Sequence, residues 1–324
     1  MGWLTAMKPI PTELLNRPFT TSGARQRGVS DRMLAGRRFV RILPGVHRHR
    51  ELDMTAGRWI EAARLVLPEG AQLTGITRIQ QLGLHFGPEL PVRFVVEGDH
   101  HLSFDEIFLH RTTRLPPLDD VGVTPAAAFI SYCRRARVID AIKVGDWLLH
   151  QGHVTEAELR HLALGEQWRD GAVEALWVLE HLDPASRSLP ESECRAILSF
   201  AGLPIGEVNR RLTIDDAHLI GDLVFEQWRT VVEYEGAHHQ ADRAQYASDI
   251  DRYAVMRGHD IAYVQVTKEK LKRPRLVTRE VHRELVTRGY DGPPPDFGHH
   301  WHQLFERITD VIGPRLDRRQ SSGA

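Results

Sequence analysis

The sequence predicts an α+β protein built from modules in series, and three observations carry that prediction. Residues 13–50 read as two short helices followed by a hairpin, residues 51–182 show mainly helical apolar spacing, and residues 188–290 open on a helix that leads into an acid-bearing hairpin. At 324 residues the chain exceeds what one compact core usually organises, so two or three domains are expected. Its 42% hydrophobic and 26% charged residues are ordinary globular values and argue against wholesale disorder.

In the first module, Thr20 and Thr21 can cap the helix TSGARQRG, which stops at Gly28. Ser30 can cap a second short helix, SDRMLAG, ending at Gly36. The stretch FVRILPGVHRHR is rich in β-formers, and Pro44-Gly45 in its middle is a turn pair between two short strands. Helix, turn, helix and hairpin is the layout of a winged helix. Arg25, Arg27, Arg32, Arg37, Arg38, Arg41, Arg48 and Arg50 decorate it, and Asp31 is the only acid between residues 22 and 50. A DNA-facing surface needs that bias, because neutralising phosphates releases counterions.

The run F-T-T-S-G-A-R-Q-R-G-V-S-D-R-M-L, followed by R-I-L-P-G-V-H-R, resembles the N-terminal winged helix of the AbiEi-type antitoxin family over residues 13–50. In that family a G-V-x-R sequence closes the wing strand. The resemblance implies DNA binding through arginines such as Arg25, Arg27, Arg32, Arg37, Arg38, Arg41 and Arg48, or binding of a partner such as a cognate toxin or defence-system protein. The plainer alternative is a solvated basic face on a small structural module.

The middle region, 51–182, is expected to be mostly helical. AGRWIEAARLVL has helical spacing, while VRFVVEG and EIFLHRT look like short strands around the loop DHHLSF. In ISYCRRARVIDAIKVGDWLLHQG, Ile139, Ile142, Trp147, Leu148 and Leu149 should face a core. Thr155 and Glu158 fit a capping box. Asp140 and Asp146 read as solvated or capping acids, so this region carries no catalytic constellation and reads as a connector or platform. DPASRSLP, residues 183–190, breaks both patterns and reads as a linker. Residues 291–324 are expected to hold a C-terminal helix and a disordered tail.

Cys133 and Cys194 are the only cysteines, too few for a disulfide framework or a cysteine zinc site. His299, His300 and His302 lack the spaced second ligand pair that a tetrahedral zinc site needs. Without a leader-like start or a long apolar run, the expectation is a soluble, cytoplasmic chain with no membrane partner.

The chemistry concentrates after the linker. ESECRAILSFAGLP is a helix with Glu191 in its first turn, and HLIGDLVFEQWRTVVEYEGAHH reads as a hairpin. Leu219, Asp222, Leu223, Val224 and Phe225 belong to one strand, and Trp228, Val231 and Val232 lead along the next to Glu233-Tyr234-Glu235. Side chains two apart on a strand share a face, so Glu233 and Glu235 project together, with Tyr234 opposite. Asp222 can reach them if the hairpin folds back. Three converging carboxylates repel one another, and a divalent cation such as Mg²⁺ or Mn²⁺ removes that difficulty while activating a water.

The pattern D222-x10-E233-Y-E235-G-x-x-H239, followed by D242-R243 and D249-I-D-R252, is similar to the DUF559 and very-short-patch-repair-like branch of the PD-(D/E)xK endonuclease superfamily. The likeness spans about residues 188–290 and implies a restriction-endonuclease-like αβββαβ core. In that core DRAQYASDIDRYAVMRG would be the second helix and AYVQV the last strand. It further implies Asp222, Glu233 and Glu235 as metal ligands, Glu191 as a ligand or water-orienting group, and His239 as an acid/base. The implied activity is Mg²⁺- or Mn²⁺-dependent hydrolysis of DNA phosphodiesters. Two departures stand out: Glu235 occupies the position of the superfamily's lysine, and Gln265 stands where the branch commonly has arginine. They leave open a second reading, a non-catalytic antitoxin-like transcriptional regulator with a retired nuclease fold.

Overall fold

A computed structural model describes residues 9–214, 217–235 and 256–313. Its secondary structure is α+β, as the sequence predicts, and the chain divides into two compact units, Met1–Ala128 and Phe129–Ala324. Among the described residues no helix is long and apolar enough to cross a membrane.

The first unit begins with α1 (Thr12–Asn16), β1 (Phe19–Thr20), α2 (Thr21–Gln26) and α3 (Asp31–Leu34), followed by β2 (Phe39–Leu43) and β3 (Val46–His49). Thr20 caps α2 by accepting from the Gly23 N–H at 3.0 Å, and Ser30 caps α3 by accepting from the Met33 N–H at 3.4 Å. Gly45 turns the hairpin at φ +72°, a left-handed conformation that side chains oppose. The short strand β1 has too little periodicity to stand out in sequence. It pairs antiparallel with β3, giving the order β1-β3-β2. Leu14, Phe19, Ala24, Val29, Leu34 and Phe39 form the core under these elements.

The segment that follows departs from the helical expectation. Helix α4 (Ala56–Arg64) is followed by β4 (Gln72–Leu73), α5 (Gly75–Gln80), β5 (Val92–Glu97) and β6 (Ile107–Thr112). Strand β5 pairs antiparallel with β4 and parallel with β6, so DHHLSF lies in a crossover rather than a hairpin loop. Trp59, Ile60, Ala62 and Ala63 of α4 pack with Val92, Phe94 and Ile107 of this sheet, because α4 has one apolar stripe to bury. Arg78 is buried beneath, held by Asp119 at 2.6 Å and the Val123 carbonyl at 3.1 Å.

Helix α6 (Pro125–Cys133) leads into the second unit, where α7 (Val138–His150), α8 (Glu156–Gly165), α9 (Ala172–Leu179) and α10 (Leu189–Phe200) follow. Ile139, Ile142 and Leu148 are buried as the spacing predicts, and Trp147 and Leu149 half-buried. Thr155 and Glu158 form the capping box of α8. Asp146 is neither solvated nor a simple cap: it is fully buried and paired with Arg195 at 2.8 Å. Of the expected linker 183–190, Leu189 and Pro190 already belong to α10, which Ser188 caps, and Asp146 Oδ1 accepts from the Asp183 N–H at 2.7 Å.

A four-stranded sheet completes the unit: β7 (Glu207–Ile214), β8 (Ala217–Phe225), β9 (Thr230–Glu235) and β10 (Ala262–Thr267), in the order β10-β9-β8-β7. The first three are antiparallel neighbours, and β10 joins β9 in parallel. Trp228 lies in a 3-10 turn (Glu226–Trp228) between β8 and β9 rather than on a strand. Past β10 come α11 (Lys268–Leu271), α12 (Pro274–Thr287), α13 (His299–Gln303) and α14 (Ile308–Ile312). Helices α10 and α12 pack on the sheet, and Val224 and Val231 pack with Met256. Most of the expected helix DRAQYASDIDRYAVMRG lies outside the described residues.

Candidate functional site

Leu223 opposes Val232 and Val224 opposes Val231. The ladder ends at Leu223, and the Asp222 side chain takes over: its Oδ2 accepts from the Tyr234 N–H at 2.8 Å. Glu233 is 7% exposed, and the Tyr263 hydroxyl donates to its Oε2 at 3.5 Å, the limit of a hydrogen bond. Gln265 pairs with Glu233 across the parallel β9/β10 ladder and so shares its face, while Glu235 pairs with Thr267 and is half-buried.

Glu191 sits in the first turn of α10, 9% exposed. Its Oε2 accepts from the Arg187 N–H at 2.9 Å and from Asn209 Nδ2 at 2.6 Å. Asn209 interrupts β7 at φ +48°, a conformation that asparagine tolerates better than most residues, and this turns its amide toward α10. Glu191 is therefore engaged in joining the helix start to the sheet. The Cys194 thiol, one turn along α10, is pushed up to about 12 by burial and then by the charges of Asp222, Glu193 and Glu191. That places two of the anticipated acids in one electronegative neighbourhood.

Among the described residues, no group of three or more histidine, cysteine, aspartate or glutamate side chains is arranged to hold a metal ion. Asp222 reaches the backbone N–H of Tyr234, next to Glu233 in the chain, Glu235 lies two positions beyond Glu233 along β9, and Glu191 is held at the start of α10 by the Arg187 N–H and Asn209. His239 lies outside the described residues. A cation absent from the sequence reading also stands here: Lys270 Nζ donates to the Gln265 carbonyl at 2.8 Å and to Glu280 at 2.7 Å. Lys270 follows the strand by three residues, so its place becomes visible only once α11 folds back.

The basic residues of the first unit divide by what they touch. Arg48 is half-buried, and its Nη1 donates to the carbonyls of His49, Arg50 and Leu52 at 3.1, 2.6 and 2.7 Å. It holds the exit of the hairpin. Arg25 grips Asp31 at 2.8 and 2.6 Å, and that bond holds the Asp31 carboxyl below its usual range. Arg38 is half-buried, whereas Arg27, Arg32, Arg37 and Arg41 are exposed. Arg27 reaches the Gly23 carbonyl at 3.1 Å, and Arg41 the Leu43 carbonyl at 3.4 Å.

No protein-family model matches the chain, and no curated protein or solved structure matches it.

Proposed function

We propose that the chain is a DNA-binding protein whose C-terminal sheet is a metal-dependent DNA endonuclease of the restriction-endonuclease-like, PD-(D/E)xK kind. The observation that carries this reading is Asp222 at the end of the β8/β9 ladder, its Oδ2 accepting from the N–H of Tyr234, the chain neighbour of the buried Glu233, in a sheet of order β10-β9-β8-β7 with β10 parallel to β9. The helix-then-three-strand sequence of α10 and β7 to β9, with β10 added beyond, supports the αβββαβ assignment.

Mg²⁺ is commonly held by one or two carboxylates together with waters and substrate phosphates, so a pair of acids fits it where a cage of three does not form. Asp222 and Glu233 would hold Mg²⁺ or Mn²⁺, which supplies charge neutralisation at the phosphodiester and a more acidic water. Within this reading Glu235 or His239 takes up the water proton, and Glu191 fixes the start of α10 against β7. DNA is held through the exposed Arg27, Arg32, Arg37 and Arg41 of a winged helix, in a cytoplasmic setting that suits two buried free cysteines.

A specific observation favours a second reading. Gln265, not a cation, shares the face of Glu233, and one oxygen each of Asp222 and Glu191 is engaged by the fold. A transcriptional regulator with a retired nuclease sheet, pairing with a cognate toxin or defence-system protein, would need only the DNA-binding half.

Plasmid, linear and single-stranded DNA incubated with Mg²⁺ or Mn²⁺ separates the two. Metal-dependent products from the wild type, lost in Asp222→Asn and Glu233→Gln, support the endonuclease. A folded wild type that binds DNA and yields no products with either metal overturns it in favour of the regulator.

A further inference from the structure

The second unit neutralises many of its arginines. Arg137 pairs with Asp140, Arg160 with Glu156 and Glu180, Arg195 with Asp146, Arg210 with Glu226 and Arg288 with Asp260. Helix α12 departs from this. Arg273 at its N-cap and Arg275, Arg279 and Arg283 along it are all exposed, and among the described residues none forms an ion pair. The two acids of the same helix turn elsewhere, Glu280 to Lys270 at 2.7 Å and Glu284 to Arg288 at 3.5 Å.

Residues four apart share one side of a helix, so Arg275, Arg279 and Arg283 form a row with steps of about 6 Å along the axis. Beside the row, Arg273, Arg275 and Arg279 line an open cleft of about 560 Å³ with Trp301, His302 and Phe305. The guanidiniums of Arg275 and Arg279 each lie 5.4 Å from the centre of the Phe297 ring, and Arg275 Nη2 is 3.4 Å from His302 Nε2. A guanidinium held by its face against an aromatic ring keeps its edge N–H donors available, and those donors match phosphate oxygens. Like charges gathered on one face repel one another, and a polyanion laid along them relieves that repulsion.

We propose that this face of α12 binds the phosphodiester backbone of DNA, through Arg273, Arg275, Arg279 and Arg283, as a contact surface additional to the basic hairpin region of the first unit. A single small phosphate compound would be served by the cleft alone. Arg283 lies outside the cleft lining and continues the row, which favours a polymer with repeated phosphates. The choice of DNA rests on the DNA-binding reading above, whereas the arginine arrangement asks only for a phosphodiester chain.

The test is fluorescence-anisotropy titration of a labelled DNA duplex with the full chain, without divalent metal, over a series of salt concentrations. The variants are Arg275→Ala/Arg279→Ala/Arg283→Ala and the corresponding triple lysine variant, with folding checked by circular dichroism. Each lost phosphate contact flattens the salt dependence of log K by about 0.9, so the alanine variant should bind at least about tenfold more weakly at low salt, with a slope shallower by two to three. The lysine variant keeps the charge and should keep the slope. Unchanged affinity and slope in the folded alanine variant overturn the proposal. So does displacement of the duplex by millimolar mononucleotide or pyrophosphate, which marks a small-ligand cleft instead. Because no metal is present and no cleavage is read, failure of the endonuclease reading leaves this result intact.

Discussion

Asp222 Oδ2 accepts the Tyr234 backbone N–H at 2.8 Å, across the point where the β8/β9 ladder stops. An acid proposed to hold a metal is thus also a structural acceptor, and the two roles can be separated by the choice of substitution. Asp222→Ala leaves the Tyr234 N–H without this acceptor, at a cost of about 1–3 kcal/mol. Asp222→Asn keeps a carbonyl oxygen for it and removes only the charge. We expect urea unfolding to show a clear loss for the alanine variant and a smaller one for the asparagine variant. Equal losses would mean that the hydrogen bond contributes nothing separable from the charge. For cleavage or metal binding, Asp222→Asn is therefore the informative change.

The arginines of the first unit should split into two groups. Arg37 and Arg41 are exposed, so replacing both with alanine should weaken duplex binding and flatten its salt dependence by about two, with little change in melting temperature. Arg48→Ala should act differently, because it removes a donor from three carbonyls at the hairpin exit. Its melting temperature should fall together with affinity. Unchanged low-salt affinity in Arg37→Ala/Arg41→Ala would remove the DNA-binding role of this region.

Features that depend on residues close in sequence were readable from the chain alone. The Thr20 and Ser30 caps, the Pro44-Gly45 turn and the Thr155/Glu158 box each depend on residues within a few positions of one another. The strand carrying Glu233, Tyr234 and Glu235 was readable because a period of two needs no tertiary information. What escaped depends on distant partners. Strand β1 is two residues long and exists by pairing with β3. The parallel pairing of β5 with β6 turns two strand-like runs into a small sheet that local pattern cannot foresee. Strand β7 is interrupted by Asn209, whose left-handed backbone serves Glu191, 18 residues earlier. The buried Asp146 likewise takes its meaning from Arg195, far along the chain.

Asp146 shows what that distance costs. Its side chain is 0% exposed and Arg195's 11%, and Asp146 also accepts the Asp183 N–H while Arg195 donates to the His181 carbonyl at 2.9 Å. Removing one partner of a buried pair strands the other charge, so Asp146→Ala should cost about 3–5 kcal/mol. Asp146→Asn, which keeps an acceptor for Asp183, should cost less. Denaturant unfolding of the two variants checks this, and a near-neutral alanine variant would show that Arg195 finds water once its partner is gone.

His181 gives the second unit a pH dependence with a definite sign. Its ring packs against Trp177 at 4.6 Å and Phe200 at 5.1 Å, and burial, reinforced by His300 and Arg195, lowers it below the ordinary value of 6.5. The folded state therefore prefers the neutral ring. Above the ordinary value both folded and unfolded chains are neutral, and the stabilisation is complete. As pH falls through 6.5 the unfolded chain gains a proton that the folded chain refuses, so stability declines until the folded value is reached. His181→Phe keeps an aromatic ring against Trp177 and Phe200 and removes the titration. Urea midpoints at about pH 8 and about pH 5.5 should fall more for the wild type than for this variant. Carboxylates that titrate lower affect both proteins alike and cancel in the comparison. An identical pH response in the two would show that His181 takes up its proton in the folded state as readily as in the unfolded chain.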